Sequence, residues 1–235
     1  MRIQDLRGYG IAPSDAEGSW DPAFKGKLKR KAQNVVMRNL TFMQKLRFSI
    51  AFISEKWRAG KLDLTDLREK GMRNQAFLDQ QLEYLAVFAS LKKVRGKDAA
   101  LTIMHQVMDA TAAEALLLTL PEPEDICKVG DPFEVFRQIC GILPEVTKAA
   151  GCHSIAITED TEKAIQWDVS WCVWLELAKK MGVAEACIPN CYADDLAYPD
   201  YFKAIGIEYK RAGTLAMGAK QCDFRFVKIE RASGG

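Results

Sequence analysis

After Gly151 the spacing of apolar residues changes from a helical period to a strand period, so the chain must join a helical layer to a sheet. Before that glycine, apolar residues recur three and four apart. Val35, Val36, Leu40, Met43, Leu46, Ile50, Ile53 and Trp57 predict one amphipathic helix over about residues 27–59. Leu67, Phe77, Leu78, Leu82, Leu85 and Phe88 predict a second over about 65–93, bent at Gly71. A third, over about 97–119, stops at LPEPED, whose two prolines forbid continuation. A fourth opens at Asp131-Pro132-Phe133-Glu134 and runs to about Ala149. Its start has a capping residue, a proline at the first helical position and an acid in the first turn.

Beyond Gly151 the alternation of Ile155 and Ile157, a polar turn, and then Ile165, Trp167, Val169 and Trp171 predict a β-hairpin with one buried face. A helix over about 172–181 follows, then an irregular helical segment over about 193–204 around Pro199. A second hairpin is expected, with strands near 207–215 and 222–230 about a turn at Gly218. The fold class is therefore α+β, a helical N-terminal half packed on a C-terminal ββααββ antiparallel sheet unit. Residues 1–24 read as a turn-rich arm, 25–150 as the helical region and 151–235 as the α+β region, together one compact unit.

With 235 residues the chain can bury a full core. Its 33 basic and 31 acidic residues nearly cancel, which argues against a nucleic-acid partner. The one basic cluster, KGKLKRK at 25–31, reads as a solvated helix entry. The longest apolar run, 112–120, is broken by Glu114 and Thr119 and is too short to span a bilayer, and MRIQDLRGYG has no apolar signal region. A cytoplasmic protein with a small-molecule partner and no membrane partner is the expectation. Leu40, Met43, Leu46 and Ile50 could also serve a second copy, making a homodimer through the long helices.

All seven cysteines lie after residue 126, and an odd number in such a chain does not suggest a disulfide framework. In CDFRF, Cys222 shares a strand face with Phe224 and Phe226, while Asp223 and Arg225 take the other. Cys222 is then either a small core residue or a thiol lining a pocket. Cys187 and Cys191, in a presumed loop CIPNCYADD with Asp194 and Asp195, could reach one soft cation, with Cys172 or Cys222 completing the shell. That metal would be zinc, iron or manganese; the alternative is no cofactor at all. Cys172 stands at a strand-to-helix junction, where free N–H groups favour a thiolate. Of the two histidines, His153 beside Cys152 is the better candidate base, because His105 lies within a helical apolar pattern. No G-x-S-x-G, H-E-x-x-H or phosphate-binding glycine motif occurs.

The order WDVSWCVWLELAKKMGV, CYADD and YKRAGTLAMGAKQCDFRF resembles the L-2-amino-thiazoline-4-carboxylic acid hydrolase family over roughly residues 165–227. The resemblance implies hydrolytic opening of a thiazoline ring at a carbon–sulfur bond. It carries over to Cys172, Cys191, Asp194, Thr214, Gly218, Cys222, Asp223 and Arg225, and implies that the three cysteines converge in space. Asp194 or His153 would then activate water while a cysteine or a bound metal stabilises the developing anion, and Arg225 would hold a carboxylate together with Asp223 and Thr214. Trp171 and Trp174 beside the site would suit a flatter aromatic substrate, which keeps open a lyase reading. A non-enzymatic sensor binding a ligand or metal through its cysteines is the rival from another class.

Overall fold

A computed structural model describes residues 22–116, 120 and 122–230. The arm expected over 1–24 lies outside the described residues, except that helix α1, Pro22–Arg38, takes in its last three positions. The single long helix expected over 27–59 is two. The second, α2 (Phe42–Ala59), starts at a capping box in which the Thr41 hydroxyl accepts from the Gln44 N–H and the Thr41 N–H donates to the Gln44 side chain. The Arg95 guanidinium donates to the Asn39 carbonyl and holds the corner between α1 and α2.

The face of α2 that turns inward is also not the one its apolar spacing suggested. Phe48 and Ala59 are buried together with Glu55, whose carboxylate pairs with Arg58 and with Lys93, far along the chain. Met43, Leu46, Ile50, Ile53 and Trp57 point to solvent.

The helix expected over 65–93 is likewise divided, into α3 (Thr65–Glu69) and α4 (Gln75–Arg95). Gly71 sits between them with a φ of 100°, a left-handed conformation that ends α3 instead of bending it, and Asn74 caps α4 by accepting from the Phe77 N–H at 2.8 Å. Helix α5 is Lys97–Leu116, and a short α6 (Pro123–Val129) precedes α7 (Pro132–Ala149). Helix α7 starts as its sequence requires, with the Asp131 carboxylate accepting from the Glu134 N–H at 3.0 Å.

The sheet is fully antiparallel, in the order β1-β2-β4-β3, and is made of β1 (His153–Asp160), β2 (Ala164–Cys172), β3 (Ile207–Lys210) and β4 (Cys222–Lys228). Between the hairpins run α8 (Val173–Lys180) and α9 (Cys187–Ala204), so the ββααββ order holds. Strand β3 ends at Lys210, short of the expected 215. The residues after it form a loop with one 3-10 turn at Leu215–Met217, closed by Gly218 in the left-handed conformation.

In register, Ile165 faces Phe226, Trp167 faces Phe224 and Val169 faces Cys222, and all six are buried. Helices α7 and α9 cover this face. The Phe226 ring lies 4.7 Å from Phe202, 4.8 Å from Phe136 and 4.6 Å from Trp167. A second core joins α1, α2, α4, α5 and α8 around Phe88, Leu91, Met104 and Leu177. Burying each such side chain contributes about 1.5–3 kcal/mol. The two halves also meet by backbone. A Cβ at Gly151 would stand 2.2 Å from the Met72 nitrogen, so only glycine lets the turn before β1 cross the turn after α3.

Candidate active site

Cys172 and Leu215 each pack against both cores, and the thiols gather at this seam. The stretch CIPNCYADD is not the expected loop but the first half of α9. Cys187, Cys191 and Asp194 are four and three residues apart, which puts them on one helix face. From the sheet, Cys222 opens β4; from the junction, Cys172 ends β2 immediately before α8. The four thiols, Asp194 and Arg211 lie close enough to feel one another's charge: each thiol feels at least two other members of the set, and Asp194 and Arg211 feel each other. Cys187 and Cys222 are buried, whereas Cys172 and Cys191 keep some accessible surface.

Burial dominates the electrostatics. It pushes the Cys172 thiol up to about 11, against the downward pull of the Leu175 and Trp174 N–H groups at the start of α8. The thiolate that a helix start could favour is therefore not the resting form. Cys191 is pushed to about 12, and Cys187 and Cys222 are also raised. The Leu215 N–H donates to the Cys222 sulfur at 3.2 Å and partly offsets its burial. At neutral pH these groups are protonated thiols.

Asp194 is the exception to simple pairing. Its side chain keeps 31% of its surface accessible, yet dense protein around the carboxyl raises it to about 6 despite Arg211, which donates to it at 2.8 Å. The Arg211 side chain is only 2% exposed, and its guanidinium also reaches Asp195 at 2.6 Å and the Cys191 carbonyl. A carboxyl that titrates near 6 beside four neutral thiols can take a proton at physiological pH and return it.

The loop after β3 explains why TLAMGAKQCD is arranged as it is. The Asp223 carboxylate accepts from the N–H groups of Ala212 and Gly213, the latter at 2.7 Å. The Thr214 hydroxyl is buried and accepts from the Met217 N–H, starting the 3-10 turn. Together they hold Arg211 toward α9 and the Leu215 N–H toward Cys222. In this structure Thr214 and Asp223 are engaged by the loop's own backbone.

The remaining predicted residues lie apart. Arg225 is on the opposite face of β4 from Cys222, as alternation requires, and makes a bidentate pair with Glu159 of β1 at 2.8 and 3.2 Å. The β2–β4 register runs without a bulge from Ala164 to Val169, so nothing re-aims it toward the thiols. His153 stands opposite Cys172 in the β1–β2 ladder, but its ring stacks on Trp174 at 4.8 Å and burial lowers it to about 4. Trp174 also meets Phe77 edge-on at 4.9 Å, and Trp171 lies under the Lys70 ammonium at 4.7 Å. A surface groove of about 430 Å³ beside Tyr209 and Ile229 is lined by none of the thiols.

Among the described residues, no three His, Cys, Asp or Glu side chains are disposed to hold one metal ion. The zinc, iron or manganese considered from the sequence therefore finds no such group among the described residues. Arg211 is the member of this constellation that sequence reasoning did not place in the site, and that reasoning gives Cys187 only as a metal ligand beside Cys191.

A family model described as L-2-amino-thiazoline-4-carboxylic acid hydrolase matches residues 77–226. The chain belongs to that family. The match begins inside α4 and ends in β4, so it spans the thiol seam and reaches well into the helical half, where no motif had suggested it. No curated protein and no solved structure matches the chain. Membership in the thiazoline-carboxylate hydrolase family supports a hydrolase-like role on a small molecule, and no helix among the described residues is long and apolar enough to cross a membrane.

Proposed function

We propose that the protein hydrolyses a small thiazoline-type ring acid at the seam between its two cores, with Asp194 as the general base. The observation that carries this reading is a carboxyl titrating near 6 within a group of protonated thiols. Water adds to the ring carbon between nitrogen and sulfur, and Asp194 takes its first proton and passes it to the ring nitrogen. The tetrahedral carbon then expels sulfur as its C–S bond breaks. The remaining hydroxyl proton ends on that sulfur, relayed through a neutral thiol of Cys222 or Cys191. Arg211 is the cation beside these groups, and the substrate carboxylate takes the place of the outer Asp195 on its guanidinium. Arg225 is held by Glu159 on the other face of β4 and has no part in this scheme.

The test is turnover of L-2-amino-thiazoline-4-carboxylic acid in oxygen-18 water. Label in the carbonyl of the ring-opened product supports the reading, and unlabelled product would point to elimination. Asp194→Asn is expected to lower kcat by 10²- to 10⁴-fold, the usual span for a general base; a folded variant with full turnover would exclude Asp194 from the role.

A further inference from the structure

One surface is unexplained by the site, and it lies outside the family match. The solvent face of α2 carries Phe42, Met43, Leu46, Ile50, Ile53 and Trp57 at exposures of 53% to 82%. Among the described residues it is the one helix face with such a row. The last five are spaced 3, 4, 3 and 4 apart, the narrow seam of a helix that packs against another helix, and not the broad apolar arc of one lying on a lipid surface. Arg47, Ser49, Ser54 and Lys56, all exposed, flank it closely on both sides.

We infer that α2 is a self-association surface, on which two copies of the chain pair their α2 helices antiparallel about a two-fold axis at Ile50. The seam is nearly self-complementary about Ile50: Met43 lies level with Trp57 of the other copy, Leu46 falls within one residue of Ile53, and Ile50 meets itself, as an isologous interface requires. Charge permits this orientation. Antiparallel pairing about Ile50 sets Arg47 opposite Ile53, Lys56 opposite Gln44 and Lys45 opposite Glu55, so no like charges face one another. The area is of the right order. At about 150–250 Å² per aromatic side chain, Phe42 and Trp57 alone, 82% and 65% exposed, offer on the order of 300 Å² per copy, and the four aliphatic side chains extend the patch toward the roughly 800 Å² per partner of a standard interface. The opposite face of α2 is held by Phe48 and the Glu55–Lys93 pair, so the helix presents the seam from a fixed base on α4.

Light scattering on the full chain at micromolar concentration is expected to give the mass of two chains. Ile50→Arg and, separately, Ile53→Glu are expected to give the mass of one, with unchanged circular dichroism, since both side chains are solvent-facing in the single chain. Mixing Met43→Cys with Trp57→Cys protein under mild oxidation is expected to yield the mixed cross-link in excess of either symmetric one. A wild-type monomer, a dimer that survives both charged substitutions, or an excess of symmetric cross-links would overturn the proposal. If the wild type is monomeric, co-sedimentation with phosphatidylcholine vesicles containing phosphatidylserine identifies a lipid surface as the occupant instead.

Discussion

Under the proposed hydrolysis, Asp194 sets the expected pH behaviour. Burial raises its carboxyl to about 6, and the base form predominates only above that value. The rate constant kcat/KM is expected to rise with pH through about 6 and then level, and a pH–rate profile lacking that acid limb would remove Asp194 from catalysis. The thiols make a separate prediction. Because burial holds Cys172 near 11 and Cys191 near 12, brief iodoacetamide treatment at neutral pH is expected to modify the exposed Cys127 well before either, as read by peptide mass mapping. Single residues also show where sequence reasoning stops. Alternation alone put Cys222 with the aromatic face and Arg225 away from it, because strand geometry leaves two choices. Arg211 could not be found that way, since its burial comes from a loop folded over by Asp223, and no local period encodes that contact.

At the scale of elements, the capping signals were legible and the helix lengths were not. Asp131-Pro132 marked the start of α7 to the residue, because a cap is made within four consecutive positions. The α1–α2 break was hidden by an apolar spacing that continues across Thr41, and five of its eight residues turned out to face solvent. The loop between β3 and β4 is where a small change should reach the site indirectly. Asp223→Ala removes the acceptor of two backbone N–H groups, at a cost of about 1–3 kcal/mol. It is expected to speed hydrogen exchange over 211–217 and to lower kcat, with Asp223→Asn recovering part of both. The α2–α4 contact has its own pH signature. Burial pushes the Glu55 carboxyl up, but hydrogen bonds from Lys93 and Arg58 outweigh it and leave the group below its ordinary 4.5. A depressed carboxyl stabilises the fold above its unfolded value and loses that contribution as pH falls through the folded one. Urea midpoints of Glu55→Gln are therefore expected to fall less than those of the wild type on acidification below about 4.5.

For the whole molecule, the change of period at Gly151 separated helices from sheet correctly, because 3.6 and 2 are distinct repeats and each demands its own layer. It could not show that the thiols sit on the boundary between two cores, which depends on α8 and α9 folding back across the sheet. Nor could it show how tightly the boundary is fastened. At Gly151 the turns from the two halves touch main chain to main chain, with no room for one added carbon. The Gly151→Ala substitution is expected to lower the thermal midpoint by several degrees, at about 2–4 °C per kcal/mol for a chain of this size. The same contact bears on how this protein can be cut. The family's limits fall at residue 77, after Met72, so a fragment trimmed to those limits would discard the segment that Gly151 rests on. The matched stretch and the packed core have different borders, since Val35, Leu40, Phe48 and Leu67 of that core also precede residue 77, and a fragment cut to the match is expected to be less stable than the full chain.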